Sequence, residues 1–173
     1  MACRDLPGMG LLMGLAACVA PGDGGGGEAG PLLPHDGWAP AEPGPFANEV
    51  PDDAWCSELA WHLVDGRFEV QSDLCLYGVY GQPLTSALAP GEALRFTFAW
   101  GERWAPEPTT AGFALAIGED VVWEVEVEVP GPPGQLEVEV EATEAVPRGV
   151  GAWLRARNHG ANAWAWSDVE ANP

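Results

Sequence analysis

Residues 121–142, VVWEVEVEVPGPPGQLEVEVEA, alternate apolar with acidic side chains, break at a Pro/Gly cluster, and alternate again. A period of two is the signature of a strand with one dry and one wet face. In the first run Val121, Trp123, Val125, Val127 and Val129 share a face, with Glu124, Glu126 and Glu128 opposite. In the second the parity inverts, so that Leu136, Val138, Val140 and Ala142 pack while Glu137, Glu139 and Glu141 face outward. A simple hairpin that keeps both valine faces dry sets Glu128 against Glu137, Glu126 against Glu139 and Glu124 against Glu141, and like charges directly opposite destabilise. A slip of one residue throws every valine into water. The two runs therefore belong to different sheets that face each other, with the glutamates on the two outer surfaces. The fold expected is all-β: a two-sheet antiparallel β-sandwich, with a jelly roll as one form of it. The ladders read as architecture before they read as a carboxylate array for calcium or substrate.

The rest of the chain from about Asp53 fits that frame. Short runs rich in β-branched and aromatic residues lie at 54–64, 67–71, 73–80, 93–100, 111–117, 121–129, 135–142, 151–157 and near 163–169, separated by turn signals. Asp65-Gly66 and Gly118-Glu119-Asp120 suit tight hairpins, while Pro90-Gly91 and the 130–134 cluster stop a ladder. Leu94, Phe96, Phe98 and Trp100 fall on one face of their strand and Arg95, Thr97 and Ala99 on the other. Arg155 and Arg157 share a parity, which makes 151–157 a plausible neighbour for one glutamate ladder. The expected division is 1–17 as a signal segment, 18–52 as a Gly/Pro-rich tether with no hydrophobic period, and 53–173 as the sandwich.

Charge narrows the partners. Against 26 Asp and Glu the chain has seven Arg and no Lys, for a formal charge of −19. Nucleic acid is excluded as a partner, because that field repels phosphate and no basic patch exists to release counterions. Schiff-base chemistry and a phosphate-loop lysine are excluded with lysine itself.

At the N-terminus Arg4 precedes the apolar run MGLLMGLAAC, and Leu15-Ala16-Ala17-Cys18 resembles the lipobox of bacterial lipoproteins. The resemblance implies cleavage before Cys18, lipid on its thiol, and an extracytoplasmic protein held to a membrane; Val19, in place of an inner-membrane retention Asp, tilts the address toward the outer membrane. Of the four cysteines, Cys3 then leaves with the signal and Cys18 carries lipid, so that Cys56 and Cys75 form one disulfide in an oxidising compartment. It closes a loop of about 20 residues, a contribution on the order of 3 kcal/mol.

Catalytic templates fail on inventory. No GxSxG, HExxH or EF-hand pattern occurs. His62 reads as an edge or solvent-side histidine, no catalytic or metal-binding residue is assigned, and no cofactor is called for. The expectation is a non-catalytic module for binding or envelope structure. Two alternatives stand beside it, a carbohydrate-binding module that uses exposed tryptophans and a calcium-dependent adhesin. Of nine tryptophans, Trp100 and Trp123 go to the core by parity, and Trp55, Trp61 and Trp153 lie on strands where burial is the default. Trp104, Trp164 and Trp166 are left as candidate ligand contacts, with Asn158, His159 and Asn162 in the polar turn NHGANAW. That turn resembles uncharacterised secreted bacterial lipoproteins, which implies an address and no activity. The partners to expect are the membrane, through the anchor, and a carbohydrate or an envelope protein.

Overall fold

The computed structural model describes residues 30–172. Eleven strands are arranged in two antiparallel sheets: β1 (Ala39–Pro40), β2 (Trp61–Val64), β3 (Arg67–Gln71), β4 (Tyr77–Pro83), β5 (Ala93–Trp100), β6 (Thr109–Ile117), β7 (Asp120–Val129), β8 (Gly134–Glu141), β9 (Gly151–Arg157), β10 (Ala163–Trp166) and β11 (Glu170–Asn172). One sheet has the order β1-β4-β9-β6-β7. In the other, β2, β3, β10 and β5 lie side by side, β8 pairs with the far edge of β5, and β11 continues the line of β10 along β5. Reduced to eight strands, β3-β10-β5-β8 faces β4-β9-β6-β7, the double Greek key of a jelly roll.

The glutamate ladders separate as their parity requires. β7 pairs with β6 in one sheet, β8 pairs with β5 in the other, and residues 130–133 carry the chain across. Between the sheets pack Phe68, Val70, Phe98, Phe113, Leu115, Leu154, Trp164 and Trp166, each essentially inaccessible to water. The Asp65-Gly66 turn that joins β2 to β3 has positive φ at both residues, 49° and 71°, the conformation of a type I′ hairpin.

Several expectations are corrected. In β7 a bulge intervenes: Trp123 faces Leu115 and Val121 faces Ala116, so Val122 is the extra residue. Beyond the bulge the parity flips, leaving Val121 48% exposed while Val122 packs on the core. The 54–64 run is a strand only from Trp61, because 57–60 close a turn in which Ala60 donates to the Ser57 carbonyl and Leu59 to its hydroxyl. β4 begins at Tyr77 instead of 73, and the strand expected near 163–169 ends at Trp166, with a further short strand, β11, only from Glu170.

The tether expected over 18–52 does not extend past residue 29; its earlier part, the signal segment and Cys18 lie outside the described residues. From residue 30 the chain is built into the domain. Leu33 pairs with Val169, and Leu32, Leu33 and Trp38 are core residues. β1 adds to the edge of β4, and Phe46 is fully buried on the outer face of the β4-β9-β6-β7 sheet, against Tyr77, Val79, Ala114 and Ala116. A low count of apolar residues concealed this, since four large ones suffice to dock a segment that has a groove waiting.

Arg155 and Arg157 do answer the β7 glutamates, but across an intervening strand. Arg155, Ala114 and Glu124 form one cross-strand row, and Arg157, Gly112 and Glu126 the next. Because β6 offers only a methyl group and a hydrogen there, the guanidinium groups lie over it and reach Glu124 at 2.6 Å and Glu126 at 3.0 Å.

Candidate functional site

At one end of the jelly roll β3, β5, β7 and β9 finish and β4, β6, β8 and β10 begin, so the loops 72–76, 101–108, 130–133 and 158–162 gather there with segment 53–60. Most of the residues singled out in the sequence are here, in roles decided by the pleat and by backbone need. Trp164 and Trp166 are two residues apart on β10 and both point inward. Their rings lie 4.5 Å and 5.6 Å from that of Phe113, which removes them as ligand contacts and makes them core.

Asn158 and Asn162 are staples. Asn158 is fully buried and donates from Nδ2 to the Cys75 carbonyl at 2.9 Å. Asn162 accepts from the Trp104 amide at 2.8 Å and donates to the His159 carbonyl. Ser72 completes the clasp by donating to the Gly160 and Asn162 carbonyls. Gly160, at φ 73°, is required, since a Cβ there would stand 1.9 Å from the Trp104 carbonyl oxygen. His159 is half-buried and holds no ion pair among the described residues. Of the candidate tryptophans only Trp104 presents its ring to solvent, 61% exposed on a loop whose backbone is pinned by Asn162.

A cleft of about 310 Å³ opens beside this cluster, and sequence reasoning placed its main wall in the core. Trp55, 50% exposed, and Trp61 line it with Val50, Pro40, Pro43 and Tyr80. Its polar side chains are few, chiefly Ser57 and Glu58. Trp55 escapes burial because it precedes the strand: its carbonyl accepts from the amides of Leu76 and Tyr77, and the Cys56–Cys75 disulfide locks that crossing, with Cα atoms 4.0 Å apart. The Tyr80 hydroxyl lies 3.4 Å and 3.7 Å from the two sulfurs, and burial pushes its pKa well above the usual tyrosine value. The cue that was available is Ser57-Glu58-Leu59-Ala60, a serine-headed turn that interrupts the strand pattern directly after Trp55.

Two histidines elsewhere among the described residues pair with carboxylates. His35 sits against Asp168, with Nδ1 and the backbone amide both 2.6 Å from the same carboxylate oxygen, yet among the described residues no serine hydroxyl hydrogen-bonds a histidine ring. His62, at the β2 edge, meets Glu69 at 3.2 Å. No group of three or more His, Cys, Asp or Glu converges as a metal site among the described residues, so the calcium alternative gains no geometry.

No family model matches the chain, and no curated protein matches it. Among solved structures it is similar to a family 4 carbohydrate-binding module, at 11% identity over 79% of this chain and 86% of that one, TM-score 0.46. A family 61 module in complex with β-1,4-galactotriose matches at 12% identity over 76% and 96%, TM-score 0.42. The N-terminal cellulose-binding domain of Cellulomonas fimi β-1,4-glucanase C matches at 11% over 69% and 86%, TM-score 0.44.

Proposed function

We propose that the protein is a non-catalytic binding module that holds a saccharide in the Trp55–Trp61 cleft. The observation that carries this reading is the half-exposed indole of Trp55, wall of an apolar cleft and fixed in place by the disulfide next to it. A pyranose ring has an apolar C–H face and an equatorial rim of hydroxyls, so a flat indole with a few polar atoms at its margin, here Ser57, Glu58 and backbone groups, is chemically matched to it. A pre-formed wall also spares the ordering cost of a loop that closes on its ligand.

The same reading places the module outside the cytoplasm, anchored through Cys18. The Cys56–Cys75 disulfide supports an oxidising compartment. Within the described residues the chain enters the domain far from the cleft: the Pro31 carbonyl accepts from Thr85, just past one end of β4, whereas Trp55 bonds to residues 76 and 77 at the other end, about 23 Å away at a rise of about 3.3 Å for each of the seven residues of β4.

Calorimetry against soluble β-glucan, galactan and xylan fragments tests the ligand. At least one fragment should bind, Trp55→Ala should weaken it about tenfold or more, and Trp104→Ala should weaken it less. Silence from the whole panel removes the saccharide reading, and loss on Trp104→Ala alone moves the site. Palmitate labelling of the wild type against Cys18→Ala tests the anchor separately.

A further inference from the structure

At the opposite end of the sandwich the outermost strands β7 and β8 part, and a second cleft of about 350 Å³ opens between the sheets. Its floor is the buried Leu88, Leu94 and Ile117. Val121, Val122 and Val140 form its walls, and the β7 bulge is what brings two successive valines to the opening. The rim carries Asp120, Glu141 and Glu144, and none of the lining residues is basic.

We propose that this mouth docks an extended segment of a partner protein that inserts aliphatic side chains and carries lysine or arginine beside them. Three properties of the mouth point to that occupant. The walls are aliphatic, with no exposed indole to stack on a sugar ring. Among the described residues the bordering strands are each paired on one side only, so an added strand finds free backbone donors and acceptors. The rim charge selects cations and repels phosphate, fatty-acid carboxylate and a second copy of this chain, which would bring a further formal charge of −19.

The site is independent of the Trp55 cleft, and calorimetry on the full chain distinguishes the two. The probes are a nonapeptide of alternating lysine and valine, its counterpart with glutamate for lysine, and a peptide of residues 9–20 of this chain. The lysine/valine peptide should bind, and the glutamate version should not. Glu141→Lys with Glu144→Lys, both solvent-exposed and free of core contacts, should weaken binding about tenfold or more and flatten its salt dependence. Val121→Asp, at an already exposed position, should weaken it comparably, while Trp55→Ala leaves it unchanged. The proposal is overturned if the lysine/valine peptide gives no heat, if the glutamate peptide binds as well, or if binding survives the rim reversal and Val121→Asp. It is equally overturned if the 9–20 peptide binds as tightly, which identifies the chain's own apolar segment as occupant, or if sedimentation shows a dimer that Val121→Asp dissolves.

Discussion

The two Val/Glu ladders are nearly the same sequence and meet different fates. The glutamates of β7 face a built surface: Arg155, 6% exposed in its side chain, bridges Glu124 and Glu49, and its guanidinium lies 5.2 Å from the ring centre of Phe46. Those of β8 face an open one, where Glu139 meets its direct neighbour Arg95 at 3.0 Å, Glu137 meets Thr97 at 3.0 Å, and Glu141 stands on the rim of the mouth. The difference lies in the neighbouring strand. β6 is small where it faces β7, so arginines from two strands away and a docked segment both fit over it; β5 is not small, and its side chains meet the glutamates directly. A repeated pattern thus fixes which face is wet, and the next strand decides what covers it.

The largest break in the comparison should come from Phe46→Ala. It leaves a hole over Tyr77, Val79, Ala114 and Ala116 and should cost about 3–4 kcal/mol in denaturant unfolding, a core-sized penalty on what the sequence presents as a tether. A loss under about 1 kcal/mol, the size expected for a surface position, would mean that the segment merely rests on the sheet.

That expectation also marks where the sequence stops being legible. Parity alone separates the ladders into facing sheets, places Phe96 and Phe98 inside, and sets the ends of β5 and β9. It fails at the bulge, because one inserted residue at Val122 inverts the rule for everything before it. It fails for residues 30–52, where Leu32, Leu33 and Trp38 join the main core and Phe46 docks on Ala114 and Ala116, all against partners far along the chain. For the candidate site it exposes Trp104 correctly, yet it puts Trp55 inside and Trp164 and Trp166 outside. Whether an indole is wet depends on which residue begins the strand, and that is set by a disulfide and a serine turn that leave no period.

Removing the cation sharpens the contrast next. Arg155→Ala should cost about 2 kcal/mol, since it uncovers Phe46 and strands Glu49 beside Glu124, and Arg155→Lys should recover only part because it loses the fork that bridges two carboxylates. The covered face should also show itself in alkali. The chain has two tyrosines, and burial raises the pKa of both Tyr77 and Tyr80, with Glu49 adding to the shift at Tyr77 and Arg155 and Arg157 opposing it. A phenol kept neutral in the fold contributes fully below the unfolded value near 10 and loses that contribution as the pH climbs above it, by about 1.4 kcal/mol per pH unit for each tyrosine. Tyrosinate absorbance should therefore lag behind that of a free tyrosine until unfolding releases it. Phe46→Ala should bring Tyr77, whose hydroxyl lies 3.5 Å from the Phe46 carbonyl, back toward 10 while leaving Tyr80 in place.

On the open face the equivalent deletion should barely register. Arg95 is half-exposed and sits between Glu139 on β8 and Glu170 on β11, an arrangement that looks as favourable on paper as the Arg155 bridge. Both partners keep their water, however, so Arg95→Ala should cost no more than about 0.5 kcal/mol and should be insensitive to salt above about 0.15 M. The double-mutant cycle of Arg95 with Glu139 should give a coupling several times smaller than that of Arg155 with Glu124, measured in the same buffer. Equal couplings would show that ion pairing by itself holds both ladders, and that the small strand, the aromatic ring and the docked segment add nothing to it.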